Sequence, residues 1–115
     1  HPSLRRPHRI GILTRMAQLT VIWWRDIPAQ VVAKAGRASA KRELAPRFQE
    51  AIDRAAMRGG ARDTDAYLAA WRRGAPEACG DDLEAAVAEA VARLERDYDA
   101  TRLAALVANG GHAPD

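Results

Sequence analysis

Apolar positions follow a period of two at the start of the chain and a helical period further on. From Gln18 to Arg25 the residues run Gln-Leu-Thr-Val-Ile-Trp-Trp-Arg. β-branched and aromatic side chains dominate, which predicts a strand. Alternation places Leu19, Val21 and Trp23 on one face and Thr20, Ile22 and Trp24 on the other. Both faces are largely apolar, as in a strand covered on both sides. Asp26-Ile27-Pro28 then marks a turn or strand boundary, because proline has no N–H for a ladder. Ala29 to Ala35 predicts a second strand, and Gly36-Arg37 a tight turn. Ala38 to Leu44 predicts a polar edge strand, the alternative being the run-in to a helix.

Beyond Leu44 the period lengthens. Pro46 suits a first helical turn. Phe48, Ile52, Ala55 and Ala56 form one stripe, and Gly59-Gly60 stops it. Asp63 or Thr64 caps a second, short helix, with Asp65 near its positive end. Tyr67, Leu68 and Trp71 share a face of that helix, which places Trp71-Arg72-Arg73 at its C-terminus, before Gly74 and Pro76. Asp81 or Asp82 caps a third helix, whose stripe is Leu83, Val87, Ala90, Val91, Leu94 and Tyr98. Leu103, Leu106 and Val107 are out of phase with it, so either the helix breaks near Asp99 or its last turns bury another side. Asn109-Gly110-Gly111 ends it. The predicted fold is α+β: a small two- or three-stranded antiparallel sheet from residues 18–44, packed against three helices from 46–108. Residues 16–108 make a single domain, and 109–115 a frayed tail.

Length and charge refine this picture. A chain of 115 residues supports one domain and a self-sufficient core. Residues 1–15 hold Arg5, Arg6, Arg9 and Arg15 and no acid, so the remainder, with 14 basic and 15 acidic residues, is nearly neutral. This segment reads as a disordered basic leader or upstream extension, with Met16 as the natural start. The alternative is a basic arm for an anionic partner. Residues 16–60 are net positive and 61–115 net negative. No apolar run approaches the ~20 residues of a membrane span, and no signal peptide is evident, which points to a cytoplasmic protein without membrane contact.

The residue types for catalysis are scarce. The 3 histidines are His1, His8 and His112, all in predicted loose ends. The folded region therefore offers no imidazole base or metal ligand. The 1 cysteine, Cys79, rules out an internal disulfide and has no histidine to activate it. No catalytic, cofactor or metal residue is assigned, and the chain is expected not to be an enzyme. The distinctive stretch is Trp23-Trp24-Arg25-Asp26. Two neighbouring tryptophans need cover on both faces of a strand, which so small a domain barely supplies, so one of them is a candidate for exposure. The candidate partner surface is therefore Trp24, Arg25 and Asp26 with the basic strand residues Lys34, Lys41 and Arg42. On this reading Trp24→Ala weakens partner capture and leaves the melting temperature within a few degrees. Alternatively the basic strands bind nucleic acid, with Trp24 stacking on a base, although no helix-turn-helix, paired-ligand or aromatic RNA-binding signature accompanies them.

Residues 16–31 (Met-Ala-Gln-Leu-Thr-Val-Ile-Trp-Trp-Arg-Asp-Ile-Pro-Ala-Gln-Val), the run Arg47-Phe48-Gln49-Glu50-Ala51-Ile52-Asp53-Arg54-Ala55-Ala56-Met57, and Asp65-Ala66-Tyr67-Leu68 before Trp71-Arg72 resemble a small bacterial "virulence factor" domain family. The resemblance spans roughly residues 16–107. It implies a domain that stands alone in proteobacteria or forms the C-terminal part of larger conserved virulence factors, which also carry an iron–sulfur-scaffold-like domain and helical repeats. Proximity of stand-alone members to folate-linked one-carbon enzymes adds a further expectation, an accessory or small-ligand-binding role. No activity, cofactor or catalytic residue carries over from the resemblance. The chain has too few cysteines to hold an iron–sulfur cluster. The function expected first is a non-catalytic protein-interaction module.

Overall fold

The structure is a computed structural model and describes residues 17–58 and 63–113. The leader, the Gly59-Gly60 helix stop and the last two residues of the tail lie outside the described residues. Within them the fold is α+β, with five strands and four helices. Strands β1 (Gln18–Trp24), β2 (Ile27–Ala35) and β3 (Ala38–Glu43) form an antiparallel meander. Helix α1 spans Pro46–Arg58 and α2 spans Thr64–Ala69. Two short strands follow, β4 (Trp71–Arg73) and β5 (Glu77–Ala78), and both pair with β1. Helices α3 (Leu83–Asp97) and α4 (Ala100–Ala108) complete the domain. The sheet order is β3-β2-β1-β4, with β5 also on β1.

Two expectations are corrected here. The sheet has five strands rather than two or three, and Trp71-Arg72-Arg73 is a strand rather than the end of a helix. Helix α2 stops at its Ala70 cap, and Gly74 N–H then donates to the Val21 carbonyl at 2.8 Å. The free edge of β1 captures this segment, a tertiary effect stronger than local propensity. The sheet also begins its second strand earlier than the proline suggests. Ile22 pairs with Gln30 but Trp23 pairs with Pro28, so Ala29 is an extra residue in a β-bulge. Pro28 sits at that irregularity, where its missing N–H costs least.

The third helical stretch resolves as a break. Tyr98 caps α3, and the Asp99 carboxylate accepts from Arg102 N–H at 2.9 Å to start α4. This lets Leu103 and Leu106 join the core from a new direction. Asp63 caps α2 by accepting from Asp65 and Ala66 N–H, and Asp82 caps α3 through Ala85 N–H. Glu95 of α3 accepts from Ala45 N–H at 2.8 Å, fixing the entry to α1. One core cluster joins the sheet and helices, with Leu19, Val31, Phe48, Ile52 and Val87 buried together.

The tryptophans divide unequally. Trp24 is 0% exposed, whereas Trp23 is half-buried. Trp24 packs against Tyr67 of α2 at 5.7 Å between rings and donates its indole N–H to the Tyr67 carbonyl at 2.9 Å. Trp23 meets Tyr98 at the α3–α4 junction, edge to face at 6.1 Å. Cover on both sides of β1 thus exists at its hairpin end, supplied by α2 and Gly111 over Trp24 and by Tyr98 and α4 over Trp23.

Candidate functional site

Trp24-Arg25-Asp26, the core of the sequence-based surface, proves to be a structural junction. Arg25 and Asp26 form the two-residue turn between β1 and β2, and Arg25 adopts a left-handed φ of 53°. For a non-glycine residue that conformation costs ~1–2 kcal/mol. Four contacts hold it in place. Arg25 N–H donates to the Ala70 carbonyl, and its guanidinium donates to the Gly110 carbonyl at 2.6 Å. Its own carbonyl accepts from Arg72, and its guanidinium lies 4.8 Å over the Trp24 ring. Asp26 N–H donates to the Gly111 carbonyl at 2.8 Å. The Asp26 carboxylate accepts from Arg72 and from Ala113 N–H.

These bonds correct two expectations. Trp24 is removed from the candidate contact surface, because it is wholly enclosed. Residues 109–113 are strapped onto the hairpin turn instead of fraying. Asp26→Ala is expected to cost about 1 kcal/mol or less, since the Arg72 pair is half exposed. It should also speed amide exchange at Ala113. Unchanged exchange there would mean that the Gly110 and Gly111 contacts alone hold the strap.

Lys34, Lys41 and Arg42 are all exposed, but the register separates them. Gln18–Lys34–Ser39, Thr20–Val32–Lys41 and Ile22–Gln30–Glu43 are cross-strand ladders, with Arg73 beyond Ile22. Directly opposed residues share a face, so Lys34, Lys41 and Arg73 lie together. None of these ladder residues is fully buried. The intervening ladders, Leu19–Ala33–Ala40 and Val21–Val31–Arg42, face the other way. Leu19, Val31, Ala33 and Ala40 are buried there, on the side where α3 packs on β2 and β3. Arg42 therefore belongs to the helix side and is separated from Lys41.

The result is a sheet face that is mixed in character. Thr20, Ile22 and Val32 are half-buried at its centre, with Lys34, Lys41 and Arg73 around them and Glu43 the acid on it. A cleft of 240 Å³ opens on it between Thr20, Val32, Lys34 and Arg73. Sequence reasoning missed Arg73 because it placed that residue in a helix. Ile22 and Val32 were visible as alternating apolar positions, but only the register shows that they share the face turned away from α3, which is the face called uncovered among the described residues.

Chemical groups for catalysis are sparse among the described residues. Burial, with the Asp81 carboxylate adding repulsion, pushes the Cys79 thiol up from its ordinary range. It stays protonated at neutral pH and is a poor nucleophile. No group of three or more His, Cys, Asp or Glu side chains among the described residues is placed to hold a metal ion. None of the described helices is long and apolar enough to cross a membrane.

No curated protein and no solved structure matches the chain. A family model described as "Virulence factor" matches residues 22–107. That span runs from the last three residues of β1 into the last turn of α4, taking in every other strand and helix described. The chain belongs to this virulence factor family.

Proposed function

We propose that this chain is a non-catalytic interaction module that docks a protein partner on its uncovered sheet face. The observation that carries the reading is the division of the ladders. One set carries Leu19, Val31, Ala33 and Ala40, buried on the side of α3, and the other leaves Ile22 and Val32 half-buried inside a rim of cations. Uncovered apolar sheet surface with a charged rim is the composition of a protein interface. With Lys34, Lys41 and Arg73 against Glu43, the complementary surface is a set of carboxylates around an apolar contact.

A nucleic acid fits this face less well. Proteins that read single strands on a sheet stack bases on aromatic rings. No residue in the three uncovered ladders is aromatic.

Charge reversal tests the proposal. Lys34→Glu combined with Lys41→Glu should abolish capture of a partner that the unaltered chain retains from lysate of its source. The melting temperature should stay within about 8 °C, because exposed substitutions rarely exceed ~0.5 kcal/mol each and the two together come to about 1 kcal/mol. Val32→Lys should have the same effect on capture. Retention of the same partner by both variants would overturn the reading. An eluate dominated by nucleic acid, with binding that falls steeply with salt, would transfer the face to the nucleic-acid class.

A further inference from the structure

Trp23 is the half-buried member of the tryptophan pair, and a second concave surface is built around it. A cleft of 460 Å³ lies between β1, β4 and α4. Its lining includes Trp23, Asp26, Arg72, Tyr98 and Arg102, together with Ala105 of α4. It lies on the opposite side of β1 from the uncovered ladders, because Trp23 and its partner Arg72 alternate with Ile22 and Arg73. Its volume falls within the ~300–1,000 Å³ typical of small-molecule sites.

The chemistry of the walls is specific. The Arg72 guanidinium lies 5.3 Å from the centre of the Trp23 ring, and that of Arg102 lies 3.9 Å from the centre of the Tyr98 ring. A guanidinium carries about five N–H donors in one plane. Arg72 directs Nε to the Arg25 carbonyl and one Nη to the Asp26 carboxylate. Arg102 directs one Nη to the Asp97 carbonyl. Both keep further donors. Of the charged residues that line the cleft, Asp26 pairs with Arg72, which leaves Arg102 as the second cation of the lining, with the Asp99 carboxylate on its backbone N–H. Flat aromatic walls favour a flat ring, and an exposed guanidinium stacked on a ring keeps in-plane donors for an anion.

We infer that this cleft binds a planar aromatic molecule bearing one anionic group, a phosphate or a carboxylate. The ring lies along Trp23 and Tyr98, and the anion takes the free donors of Arg102, with Arg72 assisting. Nothing in this reading depends on the sheet face, so each can fail alone.

Titration followed by NMR or calorimetry tests it. Adenosine monophosphate and 2-naphthoate are the two full probes and distinguish phosphate from carboxylate. Adenosine and inorganic phosphate carry one half of the chemistry each. At least one full probe should saturate with a Kd below about 1 mM, and the half-probes should bind about tenfold more weakly or worse. Arg102→Ala should weaken the full probe by about tenfold or more. Ala105→Leu, which fills the cleft and suits a helix, should abolish binding with an unchanged melting curve. The inference is overturned if neither full probe saturates by about 5 mM. It is overturned equally if phosphate alone binds as well as the nucleotide, or if both variants leave affinity unchanged.

Discussion

Trp24→Ala is expected to destabilise the domain by about 4 kcal/mol, the usual cost of removing a fully enclosed tryptophan. For a domain of this size that lowers the melting temperature by roughly 15–30 °C. The side chain is 0% exposed, and its loss leaves a void between Tyr67, Gly111 and the hairpin turn. It also leaves the Tyr67 carbonyl without its indole donor and takes the ring from beneath the Arg25 guanidinium. Total stability for such a domain is ~5–15 kcal/mol, so the variant approaches unfolding at growth temperature. Thermal and urea denaturation followed by circular dichroism make the measurement. Trp23→Ala is the comparison: half-buried at an open cleft, it should cost about 1–2 kcal/mol. A Trp24→Ala shift below about 5 °C would contradict the enclosure and return Trp24 to the surface reading.

The reversal at Trp24 shows what one sequence carries and what it leaves out. Alternation along Gln18–Trp24 correctly places the two tryptophans on opposite faces, since Trp23 meets Tyr98 and Trp24 meets Tyr67. Which of them is enclosed depends on α2 and on Gly111, both distant in sequence, and no local pattern reports them. The helices that bury a stripe were readable because burial repeats over several turns: Phe48, Ile52, Ala55 and Ala56 all lie in the core. The phase change at Leu103 left a choice that the Asp99 cap settles as a break. Strands of two and three residues have no period to read, so the sequence places Trp71–Arg73 at a helix end, whereas the β1 edge claims it as a strand.

The candidate surface divides in the same way. Lys41 and Arg42 are adjacent and equally basic, and composition cannot rank them. The pairing of Val32 with Lys41 and of Val31 with Arg42 sends one to the uncovered face and the other to the helix side. Arg25 and Asp26 drew notice for their charge. Their charge serves to hold the carbonyls and N–H groups of residues 110–113 against the turn. The charged groups of Arg25 and Asp26 are spent on backbone partners in their own chain, whereas Lys34 and Lys41 stand exposed on the face that the proposed docking reading uses.

Gly111→Ala should be nearly as damaging as the loss of Trp24, although it adds a single methyl group. A Cβ at this position would stand 2.8 Å from Cζ3 of Trp24 and 3.3 Å from Cδ of Arg25, on a residue with φ +95°. The left-handed backbone costs ~1–2 kcal/mol for a non-glycine residue, and forced overpacking adds ~1–3 kcal/mol. The indole cannot swing aside, because its N–H is fixed to Tyr67 and its ring is enclosed. The expected loss is about 3 kcal/mol, or roughly 12–24 °C in melting temperature. Gly80→Ala is the control, since nothing lies within 4 Å of a Cβ there. The two sources of strain separate in a double-mutant cycle. In a Trp24→Phe background the smaller ring withdraws from the added methyl, so Gly111→Ala should cost at least about 1 kcal/mol less than in the unaltered chain. Equal cost in both backgrounds would place the whole penalty in the backbone conformation. No loss in either would mean that the strap detaches freely, and fast amide exchange at Asp26, whose N–H it accepts, would show it doing so.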